Sequence, residues 1–242
     1  MHTVTPSSVE GLADEYAWLD GSQNYIACCF YTDNYLARAL ALKHSLDEFG
    51  INHYFKHYEQ LGSWEANTRI KPAFIQHCLE LFPGRDVLYV DADAVVRRPL
   101  EFVDRLSRQN GSDVALWLHP RRRKGRWYLR ITASVVYIRN TANGFRFVRG
   151  WRDAEKALGP LAVDEDMLQA AFADFEGLSI TVLPSSYVKI FDENRFDAVI
   201  EQFQASREQF NWRSSIRKTR QFATFGAGAM LLLSLIWLLW WL

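Results

Sequence analysis

Asp91 and Asp93 stand one residue apart inside an apolar run, DVLYVDADAVVRRPL, from Asp86 to Leu100. An ionised carboxylate taken out of water costs several kcal/mol unless it is paired or metal-bound. Two carboxylates spaced D-x-D at a strand end can both reach one divalent cation. Hard oxygen ligands suit Mg²⁺ or Mn²⁺, whose sites commonly combine one or two carboxylates with substrate phosphates. The competing account is a polar strand end with solvated acids.

A second group with chemical potential is HPRRRKGRWYLR. Arg121, Arg122, Arg123, Lys124, Arg126 and Arg130 crowd a stretch read as a loop between two strands, beside Trp127 and Tyr128. Such a segment, 121–130, can bind an anionic acceptor or rest on anionic head groups, or it can simply be solvated. No nucleic-acid motif accompanies it, so no nucleic-acid partner is expected.

The elements that must position these groups follow from periodicity. NYIACCFYT reads as a buried strand, NYLARALALKHSLDEFG as a helix ended by Gly50, and INHYFKHY as a second strand. TRIKPAFIQHCLELFPG reads as a helix with Pro72 in its first turn and Pro83-Gly84 as its stop. DVLYV is a third strand that AVV continues. A helix near Pro99 to Ser107, strands DVALWL and ITASVVYIRN, helices 141–158 and 164–175, and a strand LSITVLP complete the pattern. Strands alternating with helices imply βαβ units and a mostly parallel sheet. Such sheets bind ligands outside the carboxyl ends of their strands, and that is where Asp91 and Asp93 fall.

With 242 residues and 28 Lys+Arg against 28 Asp+Glu, the chain suits one domain with a sizeable core and offers no global charge for nucleic acid. The three cysteines, Cys28, Cys29 and Cys78, have no metal or redox spacing and read as buried thiols in a reducing compartment. The N-terminus lacks the features of a signal peptide and is expected to be a flexible arm over 1–22. The run from Phe222 to Leu242 carries no charge and ends in Trp237, Trp240 and Trp241, behind the basic Arg213, Arg217, Lys218 and Arg220. It just reaches the length of a bilayer-spanning helix, and the basic flank favours the cytoplasmic side. The expected division is an arm (1–22), a catalytic domain (23–212), a basic juxtamembrane segment (213–221) and a C-terminal membrane helix (222–242). The chain is thus expected at a membrane with its catalytic domain in the cytoplasm.

YVDADAVVRRPL, with YTDNYLARALALKHSL before it and DEDMLQAAF after it, resembles the GT-A-type nucleotide-sugar glycosyltransferases, especially those allied to glycosyltransferase family 8. The resemblance covers about Tyr25 to Asp192, with three motifs in the family's order. It implies an α/β fold: a GT-A-like, Rossmann-type, mixed and mostly parallel sheet flanked by helices, with the C-terminal hydrophobic helix appended. It implies transfer of a sugar from a nucleotide-diphosphate donor to an acceptor, with retention at the anomeric carbon. It implies Mn²⁺ or Mg²⁺ on Asp91 and Asp93.

Residue by residue, the resemblance places Tyr31, Thr32 and Asp33 near the base, Arg69 or Lys71 toward the diphosphate or sugar, and Ala92 toward the ribose. Thr132, Ala133 and Ser134 hold the places of the sugar-lining F-N-[AS]-G-V strand, whose Asn and Gly are absent here. Asp164 would hold a sugar hydroxyl. Glu165 stands where relatives carry Gln on the reactive face, and there a carboxylate can stabilise an oxocarbenium-like centre or act as nucleophile. The acids also suit a helix N-terminus, and the two roles are compatible. The family's late metal-binding His has no counterpart. Asp192 is the nearby substitute, and Lys189 can contact phosphate. Two other readings stand beside this one. One is a non-catalytic sugar-nucleotide-binding or scaffold protein. The other is a nucleotidyltransferase, for which YTDNYLAR lacks a Gly-rich phosphate loop.

Overall fold

The computed structural model describes residues 12–109, 111–159, 161–192 and 197–203. The expected C-terminal helix 222–242 and basic segment 213–221 lie outside these residues. Among the described residues, no helix is long and apolar enough to cross a membrane.

The strands are β1 (Glu15–Trp18), β2 (Tyr25–Tyr31), β3 (His53–His57), β4 (Asp86–Val90), β5 (Ala94–Val96), β6 (Val114–Arg123), β7 (Arg126–Ile138), β8 (Ile180–Val182), β9 (Lys189–Ile190) and β10 (Ile200–Gln202). The helices are α1 (Leu36–Glu48), α2 (Trp64–Thr68), α3 (Ile70–Leu81), α4 (Glu101–Gln109), α5 (Ala142–Asp153), α6 (Glu155–Leu158) and α7 (Asp164–Asp174). A mixed sheet runs β1-β3-β2-β4-β7-β6-β8, and a small one runs β5-β10-β9. Strands β3, β2 and β4 are parallel, as are β6 and β8, while β1, β4–β7 and β6–β7 pair antiparallel.

Alternation along β2 explains why this strand is apolar throughout. Tyr25, Ala27 and Cys29 enter one core with Leu42 and Leu46 of α1, whereas Ile26 and Cys28 enter another with Phe74 and Cys78 of α3 and Trp151 of α5. A strand covered on both faces needs no polar positions. All three thiols are buried and free, as the apolar run around them implies.

Four local expectations change. The arm expected over 1–22 contains β1, whose Tyr16 and Trp18 stack on the buried His53. AVV does not continue β4. The chain turns at Asp91 to Asp93, with Ala94 N donating to Asp91 O at 3.1 Å, and β5 joins the second sheet. The helix expected over 141–158 breaks at Ala154 into α5 and α6. The basic stretch is not a loop. It forms the outer part of a β-hairpin, paired from His119–Arg130 to Arg123–Arg126 around a two-residue Lys124-Gly125 turn with φ of 49° and 79°. Positive φ at both central residues is the type I′ geometry that matches strand twist, and glycine takes its place there without strain.

Candidate functional site

The inner half of β7 is irregular where the site lies. Its ladder with β6 jumps from Leu118–Ile131 to Leu116–Val136, so Thr132 to Val135 have no partner in β6. Two carbonyls of this stretch hold groups of the site. Ser134 O accepts Asp91 N at 2.9 Å, and Ala133 O accepts Lys71 Nζ at 2.9 Å. The first bond continues the β4–β7 ladder one pair past Val90–Val135, and the second ties the ITAS segment to the start of α3.

Lys71 is the centre of the cluster. Its side chain is 4 % exposed, and its ammonium lies 2.9 Å from Asp91 Oδ1 and also pairs with Asp164 Oδ2. It sits 4.8 Å from the centre of the Tyr89 ring. Burial alone would push Lys71 down, but Asp164 and Asp91 outweigh it and hold the ammonium charged well above its usual range. Tyr89, two residues before Asp91, donates its hydroxyl to Asp91 Oδ1 at 2.9 Å. Trp151 Nε1 donates to Asp164 O at 2.9 Å and anchors the start of α7.

One ammonium faces more than one carboxylate. Burial, together with the charges of Asp93 and Asp164, lifts Asp91 to about 7, although Lys71 works against the rise. Glu165, next to Asp164, is also raised by burial, against the opposing pull of Arg130, with which it forms an ion pair. The site therefore carries surplus negative charge, which a cation relieves.

The other expected site residues are placed as follows. Tyr31 is buried, and its hydroxyl donates to the carbonyls of Leu12 and Ala13 at 3.5 and 3.2 Å, so its ring belongs to the packing of the N-terminal segment. Thr32 Oγ1 bonds Asn34 Oδ1 at 2.6 Å, and the exposed Asp33 carboxylate meets His57 Nε2 at 2.8 Å. These three lie at the carboxyl end of β2, beside that of β4. Ala92 is buried in the turn. Arg69 is turned away from Asp91 toward Glu155 at 2.9 Å and Ala162 O at 3.2 Å. Thr132 Oγ1 is buried without a hydrogen-bond partner, a polar atom suited to a ligand hydroxyl.

Lys189 begins β9 of the second sheet, and Asp192 follows that strand in a turn. Phe191 N donates to Gln202 O at 3.0 Å, and Phe203 N to Asp93 O at 2.9 Å, so the end of β10 bonds both to the residue before Asp192 and to Asp93. Among the described residues, no three His, Cys, Asp or Glu groups gather to hold a metal ion.

Tyr89 and Arg130 are site residues that motif reading passed over. Tyr89 was detectable, because positions two apart on a strand share a face. Arg130 was counted in the basic stretch, and nothing local links it to Glu165, 35 residues on.

No family model matches the chain, and no curated protein matches it. Solved structures do. A glycosyltransferase involved in glycosylation of the major capsid of PBCV-1 aligns with a TM-score of 0.60 at 17 % identity, over 76 % of this chain and 96 % of its own. The apo form of the glycosyltransferase GlyE of Streptococcus pneumoniae TIGR4 aligns at 0.53 and 14 %, over 76 % of this chain and 55 % of its own. The bifunctional glycosyltransferase WbbM aligns at 0.51 and 12 %, over 77 % and 47 %. The chain thus spans nearly all of the first and about half of the other two. At these identities the likeness is one of fold: the chain has the GT-A-type glycosyltransferase fold that its motifs imply.

Proposed function

We propose that this chain is a glycosyltransferase that moves a sugar from a nucleoside-diphosphate sugar to an acceptor, with retention at the anomeric carbon. The observation that carries the reading is the buried Lys71 joined to both Asp91 and Asp164. This contact binds the acidic turn of β4 to the acidic start of α7 at the sheet's carboxyl edge, in a glycosyltransferase fold.

The donor set fits a hard divalent cation. Tyr89 and Lys71 both engage Oδ1 of Asp91, whose side chain is 29 % exposed, so Oδ2 is not taken by either. Asp91 and Asp93 would hold Mn²⁺ or Mg²⁺, with phosphate oxygens and water completing the shell and Asp192 a further ligand to test. Such an ion, when bound, acts as a Lewis acid toward the leaving diphosphate.

The chain's own groups do the rest. Lys71 fixes Asp91 and Asp164 in place. Asp164 and the Thr132 hydroxyl orient sugar hydroxyls. Glu165, held by Arg130, faces the anomeric carbon and either stabilises its positive charge or bonds to it as the diphosphate departs. Lys189 and Arg69 remain phosphate contacts to be tested, and Asp33 a contact to the base.

The test is a screen of UDP- and GDP-sugars with Mn²⁺, scored by released nucleoside diphosphate. Turnover of at least one donor, abolished in Asp91→Asn/Asp93→Asn, is the expected result. Binding of a donor without turnover on any acceptor or water would instead favour the non-catalytic sugar-nucleotide-binding reading.

A further inference from the structure

Beyond Arg130, the outer half of the β6–β7 hairpin has no role in the proposed chemistry. Strand β8 pairs with β6 only at Val114 to Leu116, and β4 pairs with β7 only at Val135 to Ile138. From His119 to Arg130 the two strands pair with each other alone. A two-stranded ribbon without a third strand or a packed face is marginal in water.

The side chains of this arm are unusual for a solvated one. Trp127, Tyr128 and Leu129 are 71 %, 46 % and 58 % exposed in succession. Cross-strand partners share a face, so Trp127 and Leu129 lie with Arg122 and Pro120, while Tyr128 lies with Arg121 on the other face. No acidic residue occurs between Asp113 and Asp153. A basic arm that stays in water needs only charge, and it does not need three large apolar side chains at its surface.

We propose that this arm docks the chain on an anionic lipid bilayer. Trp127, Tyr128 and Leu129 enter the interface, where aromatic rings and Leu are favoured, and the arginines meet the phosphates of anionic head groups. A bilayer is favoured over nucleic acid because Leu129, exposed beside the two aromatic rings, has no face to stack on a base, and because the same chain carries the uncharged run Phe222–Leu242 behind a basic segment. The arm runs into the site at its base, where Arg130 pairs with Glu165. Docking therefore brings the site to the bilayer surface, and it stands whether or not the chain transfers sugars.

The experiment uses the full chain bearing Leu129→Cys, labelled with a polarity-sensitive thiol dye. The three native cysteines are buried, so the label reports the arm and not the C-terminal run. Vesicles of phosphatidylcholine with one quarter phosphatidylglycerol are expected to shift its emission to the blue, an effect absent on pure phosphatidylcholine and reversed by high salt. Replacing Arg121, Arg122 and Arg126 together by Gln is expected to weaken vesicle binding roughly fivefold per charge, on the order of 100-fold in all. These side chains are exposed, so folding is not at stake. Vesicle binding without an emission shift at position 129, or unchanged in the triple variant, overturns the proposal. So does tighter binding to single-stranded RNA than to the anionic vesicles.

Discussion

Replacement of Lys71 by Met tests whether the cluster is held by one buried charge. The Lys71 side chain is 4 % exposed, and that of its partner Asp164 is 7 % exposed. Met fills similar space but leaves the Asp164 carboxylate buried without a counter-charge. Breaking a buried pair from one side costs about 3–5 kcal/mol. Asp91, at 29 % exposure, regains some water and adds less. For a domain of this size the loss corresponds to a Tm lower by roughly 6–20 °C. Urea denaturation followed by circular dichroism gives the free energy directly. The companion variant Asp164→Asn removes the stranded charge. In a double-mutant cycle, Lys71→Met/Asp164→Asn is therefore expected to recover about 2–3 kcal/mol of the sum of the single losses. A single-variant loss below about 1 kcal/mol, or additive losses in the cycle, would refute the claim that Lys71 and Asp164 form a buried pair.

Arg130→Met removes a pair that is 44 % exposed on the arginine side, so stability is expected to change by less than ~1 kcal/mol. Glu165 loses its positioning partner, and kcat on the donor identified by the screen is expected to fall roughly 10²-fold with Tm nearly unchanged. Gly144→Ala is expected to cost about 1–3 kcal/mol, because a Cβ there would lie 2.1 Å from the carbonyl of Arg139. Gly150→Ala, in the same helix with open space around it, is expected to stabilise by roughly 0.5–1 kcal/mol. His53 is buried and held neutral, its pKa lowered by burial. The unfolded chain takes up this proton below about 6.5, so stability is expected to fall with pH from there until the folded imidazole also titrates. Urea midpoints at pH 7.5 and 5.0 should differ less in His53→Phe than in the parent chain, and equal differences would exclude His53 as the source.

The strands and helices of the core were legible because their burial follows simple periods. The apolar β2 states its two covered faces outright. For α1, spacing suggests a face of Leu36, Leu40, Ala41 and Leu46, whereas the helix buries Ala39, Leu42, Ser45 and Leu46, because apolar residues stand on more than one of its sides. The acidic turn was legible for a different reason: carboxylates in an apolar run have to be compensated. What compensates Asp91 was only half visible. Lys71 was a candidate by its place near the start of α3, but Arg69, two residues earlier, was its equal in sequence. The fold separates them by rotation about the helix, sending Lys71 inward and Arg69 toward Glu155. The irregularity in β7 had no sequence signal, since ITASVV reads as an ordinary strand. Within it Ala133 O accepts Lys71, a contact outside strand pairing. The basic hairpin was misread as a loop because charge masked its alternation. Lys-Gly is a weaker turn signal than Asn-Gly, although the glycine occupies the position that requires positive φ.

Titration calorimetry of UDP and GDP, each with Mn²⁺, into the full chain and into Asp91→Asn/Asp93→Asn tests the central claim most directly. The account predicts saturable binding of at least one nucleotide, dependent on Mn²⁺ and lost in the double variant. Absence of heat for both nucleotides, or binding that the double variant retains, would contradict it.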